Sequence, residues 1–425
     1  MNLTSWRPFV VAISRGAGCS LILLMIAVIA LPVANAARTL ATVPPSVVLP
    51  GLIPGPGAIP IRWPSTGEAA LGVEGHGVLA STNNPRPLPT ASVAKVMTAL
   101  AVLRARPLRR GEQGPSITIT PADVAAYQQD VSQGQSVVAV AAGEQLTEYQ
   151  ALQALLLPSA NNIAELVASW AFGSVAAGVT RMNALAGELQ LHATHFADAS
   201  GFNPQTVSTP PDLVALGQEA MHNPVIAEVV NQTHAQLPVA GTVPNVNRLL
   251  GQDGILGIKT GNTNEAGGCY LFAAPHVLAD GRRLLVIGAV MGLPDLDQAL
   301  AAAPALVDDA RRALELRHVL QAGQVVGSYQ APWGQRVDIV SSRPLDLVLW
   351  RGTAVRAAVA LRPVAAPLAA GGLVGTVTVS ADGGAHRVEL TTAASLHEPG
   401  WAWRAMRRPP MVPARWWPDR GRAVS

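Results

Sequence analysis

The chain has 425 residues, 49% of them hydrophobic, with 39 glycines and 34 prolines, a composition that suits one large globular domain with a smaller companion and excludes a disordered chain. The formal charge of +3 is unevenly spread: residues 399–425 hold six arginines against Asp419, while residues 37–398 carry a net −4, so the body is not a nucleic-acid or other polyanion binder. Lysine is nearly absent, with only Lys95 and Lys259 beside 28 arginines.

Residues 1–36 read as an export signal. Arg7 and Arg15 precede an apolar run from Leu21 to Val33, and Ala34-Asn35-Ala36 is a small-x-small site before Ala37. An uncleaved signal anchor is the competing reading. Both place the working part outside the cytoplasmic membrane. Of the two cysteines, Cys19 lies in this segment, so the mature chain has no internal disulfide, and Cys269 in GGCYLFAA reads as a buried small hydrophobe.

Residues 37–60 are rich in Pro and Gly and read as a linker. GEAALGVEGHGVLAST then suggests two short strands. Pro89-Thr90 opens a helix on which Val93, Val96, Met97, Leu100 and Leu103 recur at three- and four-residue intervals, placing Ser92 and Lys95 on one side of its first turns. Helical patterns follow in TEYQALQALLL, NIAELVASWAF, VAAGVTRMNALAGELQL and PDLVALGQEAM. Strands return with GILGIKTG, CYLFAAPHV and RRLLVIGAVMG, the last two joined by the turn sequence LADG. Pro304 to Leu320 reads as a closing helix. Residues 61–320 are therefore expected to form a layered domain of helices and antiparallel sheet, α/β in the α+β sense. Short alternating segments over 321–396 predict a small all-β domain. The tail, 397–425, mixes four tryptophans with arginines and prolines, which suits an anionic membrane surface or a simple basic tail.

Three short motifs carry chemistry. In Ser92-x-x-Lys95, at a helix start, free N–H groups can stabilise a developing oxyanion and a desolvated lysine can take the serine proton, which arginine cannot do. Ser159-Ala160-Asn161 sits on a turn between two helical patterns, offering a hydroxyl and an amide. Lys259-Thr260-Gly261 ends an apolar strand, where Gly261 leaves room beside an extended substrate and Lys259 and Thr260 offer charge and hydroxyl to an anion. A phosphate loop would need glycine where Ile258 stands.

Ser-x-x-Lys, Ser-x-Asn and Lys-Thr-Gly in this order, separated by 67 and then 100 residues, form the signature of penicillin-recognising serine enzymes. With the wording TASVAKVMTAL, LLLPSANNIAE, HFADASGFN and GIKTGNTNEAGGCYLFAA, the chain resembles the low-molecular-mass D-alanyl-D-alanine carboxypeptidases of the DacA type over about 61–320. The resemblance implies a serine β-lactamase/transpeptidase-like catalytic domain followed by a small β domain. It makes Ser92 the acylated nucleophile, Lys95 its general base and Ser159 the proton shuttle. It makes Asn161 the holder of the substrate amide, and Lys259, Thr260 and Gly261 the site of the terminal carboxylate. The backbone N–H groups of Ser92 and Asn262 become the oxyanion hole. Peptidoglycan stem peptides are the implied substrate and β-lactams the implied inhibitors, with no cofactor and no metal.

The resemblance also predicts an amphipathic membrane helix at the C-terminus, where this tail departs. Asn162 occupies a position often acidic in relatives. A class A β-lactamase is the nearest rival; it needs a deacylating glutamate, for which Glu188 is the nearest candidate. A non-catalytic cell-wall binder would lack one of the key side chains, and all are present. His192-Ala-Thr-His195 has ligand-like spacing but lacks the Glu of a metal-hydrolase motif.

Overall fold

The computed structural model describes residues 25–26, 28–381 and 384–408. The chain divides into two compact units.

The larger unit takes in Pro56–Leu316 and Val348–Thr353. Its centre is a five-stranded antiparallel sheet in the order Gly257–Thr263, Gly267–Val277, Arg283–Leu293, Glu68–Val73, Gly77–Ser81. The two longest of these strands, Gly267–Val277 and Arg283–Leu293, are nearly continuous apolar runs because helices cover both faces. One face packs on the helix Leu296–Ala313 through Leu300, Leu306 and Val307. The other packs on a larger helical layer that includes Lys95–Ala105 and Pro210–His222. The Phe272 ring covers Gly288, its ladder partner, so closely that a Cβ there would meet the ring at 2.1 Å. The Gly257–Thr263 strand is the sheet edge, and Gly261 on it lies against the segment that begins the Lys95–Ala105 helix.

The closing helix differs from the expectation in both limits. It begins at Leu296, where Asp295 Oδ1 accepts the Gln298 N–H at 2.8 Å, and it carries Pro304 in its interior. A proline favours a first-turn position, but the N-cap aspartate nine residues before Pro304 is the stronger start. The helix stops at Ala313, and Leu314–Leu320 is a strand. Asp309, fully buried on this helix, accepts the Arg62 backbone N–H at 2.8 Å and a two-pronged contact from the Arg62 guanidinium, which ties in the start of the unit.

The smaller unit contains a seven-stranded antiparallel sheet in the order Pro45–Val47, Val325–Gln330, Arg336–Ser341, Gly384–Thr392, Leu373–Ala381, Val355–Leu361, Leu52–Ile53. Alternation buries Val326, Ile339, Val377, Val379, Val388 and Leu390 on one face. The two outermost strands belong to residues 37–60, expected as linker. At three and two residues they are too short to show periodicity, and edge strands tolerate the prolines around them.

Most of the 1–36 leader lies outside the described residues. Its end is the helix Val28–Ala37, and among the described residues no single helix is long and apolar enough to cross a membrane. Of the tail, Trp401–Met406 is a short helix, and residues 409–425 lie outside the described part. Asn35 Nδ2 donates to the Ala405 carbonyl at 3.0 Å, and the Arg407 guanidinium donates to the carbonyls of Asn35, Arg38 and Thr39.

Candidate active site

Ser92 lies in a four-residue 3-10 turn, Ala91–Ala94, that runs directly into the helix beginning at Lys95. Ala91 has φ of 45°, a left-handed conformation that costs an alanine about 1–2 kcal/mol. The strain is held from two sides. Gly201 lies against the Ala91 carbonyl, where a Cβ would come within 1.8 Å, and the Thr90 N–H is pinned to the Thr206 carbonyl at 3.0 Å. Behind both stands Asp198. Its carboxylate accepts from Ser200 Oγ at 2.7 Å, Gly201 N at 3.1 Å, Phe202 N at 2.9 Å and Thr206 Oγ1 at 2.5 Å, so one half-buried acid orders the whole loop that braces the nucleophile segment.

Lys95 is fully buried, and its Nζ has three neighbours: Ser92 Oγ at 2.8 Å, Asn161 Oδ1 at 2.6 Å and the Ser200 carbonyl at 3.0 Å. Burial, and then the nearby Lys259 cation, push its pKa well below the ordinary lysine value, against a weaker opposing pull from Asp198 and Asp130. The two carbonyl oxygens can only accept. A neutral amine has two N–H groups and one lone pair, so these two acceptors leave the lone pair aimed at the Ser92 hydroxyl.

Asn161 starts the helix Asn161–Phe172, its backbone N–H tied to the Ser136 carbonyl at 2.7 Å. Its Nδ2 donates to Gln135 Oε1. Two residues before it, Ser159 has φ of 72°, and its buried Oγ has no hydrogen-bond partner. Asn162 clamps Val138, its Oδ1 accepting the Val138 N–H at 3.1 Å and its Nδ2 donating to the Val138 carbonyl at 2.9 Å. It therefore holds the loop at Val138.

Lys259 is buried on the edge strand, donates to the Thr260 carbonyl at 2.9 Å, and is brought down to about 7 by burial. Thr260 is buried at 3% exposure and Asn262 is exposed at the end of the strand. Gly261 differs from the expectation. Its missing side chain does not open toward a substrate; a Cβ there would sit 3.0 Å from Ala91 Cβ, the Thr90 carbonyl and the Ser92 amide nitrogen. The glycine is needed because the nucleophile segment packs directly on the strand.

Among the expected residues, Ser92, Lys95 and Asn161 are thus joined by hydrogen bonds, Gly261 packs against Ser92, and Lys259 acts on Lys95 through its charge. Ser159 makes no bond to the others. Sequence reasoning missed Asp198, Ser200, Thr206 and Gln135 as site-builders. For Asp198 a local signal existed, an acid three residues before a glycine in a loop, the pattern of a side chain capping its own backbone. Glu188 lies away from this centre, paired with Arg181 at 2.5 Å and Arg104 at 3.4 Å, which keeps its carboxyl below the usual range. Cys269 is buried, with its thiol raised to about 11.

A helix-flanked antiparallel sheet with a buried lysine hydrogen-bonded to a serine at its edge defines the class of penicillin-recognising serine peptidases. Residues 69–294, just over half the chain, match peptidase family S11, the D-alanyl-D-alanine carboxypeptidases, and the chain belongs to that family. It is 33% identical over 245 residues to D-alanyl-D-alanine carboxypeptidase DacB2 of Mycobacterium tuberculosis, covering 56% of this chain and 78% of that one. Among solved structures, the DD-transpeptidase of Streptomyces K15 aligns with a TM-score of 0.52 at 26% identity, over 59% of this chain and 98% of that one. Penicillin-binding protein 5 from Haemophilus influenzae aligns with a TM-score of 0.59 over 80% of this chain and all of that one; at 21% identity it speaks for the fold alone.

Proposed function

We propose that this chain is a serine-type D-Ala-D-Ala carboxypeptidase that removes the terminal D-alanine from peptidoglycan stem pentapeptides outside the cytoplasmic membrane, and that β-lactams acylate the same serine. The observation that carries the reading is the buried Lys95 Nζ 2.8 Å from Ser92 Oγ. Neutral Lys95 takes the hydroxyl proton as Ser92 Oγ attacks the carbonyl of the penultimate D-alanine. The backbone N–H groups of Ser92 and Asn262 receive the oxyanion, the close packing of Gly261 on the Ser92 amide bringing the two segments together. Collapse breaks the C–N bond, and Ser159, whose hydroxyl is otherwise unpartnered, relays the proton to the leaving amine. Water then releases the acyl-enzyme.

Lys259 and Thr260 bind the terminal carboxylate. A bound anion raises the Lys259 pKa and so secures the cation that binds it. Asn161 holds the substrate amide after exchanging Gln135 for the substrate oxygen. The arrangement disfavours a class A β-lactamase, since Glu188 is spent on surface arginines.

The test is mass spectrometry of D-alanine release from a pentapeptide muropeptide by the purified protein and by its Ser92→Ala variant. Release by the first and none by the second supports the reading. Release by neither, with no covalent penicillin on the intact protein, overturns it in favour of a cell-wall binder.

A further inference from the structure

The two ends of the described chain meet in the smaller unit. Val28, Ile29, Leu31 and Val33 of the helix Val28–Ala37 are each more than half exposed, and they point in different directions around its axis. A helix in water keeps such side chains to one stripe turned toward the core, whereas one that is apolar on all sides belongs inside a larger core or a bilayer. Nothing in the described protein covers these four. The sequence favours the bilayer: residues 16–37, 22 in all, carry no charge, and a span needs about 20. Arg7 and Arg15 precede that stretch, on the side that stays in the cytoplasm.

The end of the stretch is built into the fold. Ala34-Asn35-Ala36, the small-x-small site, is helical, with Asn35 and Ala36 only 7% and 8% exposed. Asn35 Nδ2 donates to the carbonyls of Ala405 and Arg407, and the Arg407 guanidinium donates in return to the carbonyls of Asn35 at 3.0 Å, Arg38 at 2.6 Å and Thr39 at 3.2 Å. The Trp403 ring meets Trp333 edge-on, with centroids 5.6 Å apart, which fixes the Trp401–Met406 helix to the turn between the strands Val325–Gln330 and Arg336–Ser341. Further along, Val43 and Val364 exchange N–H···O bonds at 2.7 and 3.1 Å, and Pro45–Val47 joins the sheet. A protease needs exposed, yielding backbone, and the backbone here is held on both sides of the cleavage site.

Val33 and Trp401 line one cleft of about 430 Å³, so an indole that is 65% exposed stands beside the base of the apolar helix. Indoles and the arginines of residues 399–425 suit the headgroup level of an anionic membrane. We propose that the leader is retained in the folded protein as its anchor in an anionic bilayer, with the base of the anchor locked by Arg407. The resemblance predicts attachment through the C-terminus; in this chain the C-terminal helix instead clamps an N-terminal anchor. The inference rests on export, as read above, and not on the reaction at Ser92.

The full chain is to be produced in a bacterial host that has its own signal peptidase, the membranes washed with alkaline carbonate, and the N-terminus of the protein they hold read by mass-spectrometric peptide mapping. The protein is expected to need detergent for release and to contain residues 16–38. A chain that begins at Ala37 overturns the proposal wherever it is found, and so does an intact leader on protein that carbonate removes. Protease added to intact spheroplasts should digest the larger unit; protection would overturn export, and the anchor with it. The lock is read in detergent by trypsin cleavage after Arg38, whose carbonyl Arg407 holds. Arg407→Gln should speed that cut by about tenfold or more, the scale of lost charge-assisted hydrogen bonds, while cuts in the larger unit keep their rate. That second rate separates a released clasp from general unfolding. Equal rates after Arg38 in both proteins overturn the lock.

Discussion

Lys95 Nζ stands 2.8 Å from Ser92 Oγ, and its two other directions are closed by oxygens that can only accept, Asn161 Oδ1 and the Ser200 carbonyl. The lone pair of a neutral amine can therefore point only at the serine. Arginine can neither lose a proton nor fit this space. Lys95→Arg and Lys95→Met should both lose about 10²- to 10⁴-fold in the rate of acylation by penicillin, the usual contribution of a general base, read by stopped-flow fluorescence. A rate kept within twofold in Lys95→Met would remove Lys95 from the chemistry.

The two lysines set the pH dependence. Lys95 works neutral, so kcat/KM falls as pH drops through its lowered pKa. Lys259 works as a cation and is held at about 7 in the free protein, so kcat/KM also falls as pH rises past that value. The bound carboxylate raises the Lys259 pKa in the complex, so the alkaline limb of kcat should lie above that of kcat/KM. A pH–rate profile from about pH 5 to about pH 10 checks this, and coincident alkaline limbs would contradict it.

The same burial makes Lys259 a stability cost. Its folded pKa is depressed below the unfolded value of about 10.4, so the folded state binds fewer protons between the two values and stability rises with pH across that window. Lys259→Met should raise Tm near neutral pH, with a smaller gain as pH climbs from about 7 toward about 10. Its carboxylate binding should be lost. Thermal melts at several pH values read the trend.

Gly201→Ala would place a Cβ 1.8 Å from the Ala91 carbonyl, at a φ of +79°. The collision displaces the residue before Ser92, so the acylation rate should fall at least tenfold even at temperatures where the variant remains fully folded by circular dichroism.

Two other glycines should respond with opposite signs. Gly288→Ala drives a methyl into the Phe272 ring at 2.1 Å and should cost about 1–3 kcal/mol. Gly187, on the exposed face of the helix Val175–Glu188, has nothing within 4 Å of a new Cβ, and Gly187→Ala should gain about 0.5–1 kcal/mol. Urea titrations of the two variants measure both changes.

The motif residues were legible because each is a side chain whose chemistry has few substitutes, above all lysine in a chain that otherwise uses arginine. The sheet and most helices were legible from unbroken apolar runs and three- and four-residue spacing. What stayed hidden works through backbone or across long separations. Asp198 acts on N–H groups of its own loop, and Gln135 meets Asn161 from 26 residues away. Gly261 was recognised, but its reason lies in the nucleophile segment 170 residues earlier, which no local pattern carries. Leu314–Leu320 was read as helix because its leucines keep a spacing compatible with either form.

The most direct test of the account is peptide mapping by mass spectrometry after reaction of the purified protein with benzylpenicillin. The account predicts one covalent penicilloyl group on the peptide containing Ser92, and none in Ser92→Ala. An adduct that persists in Ser92→Ala, or no adduct on the folded wild-type protein, would contradict it.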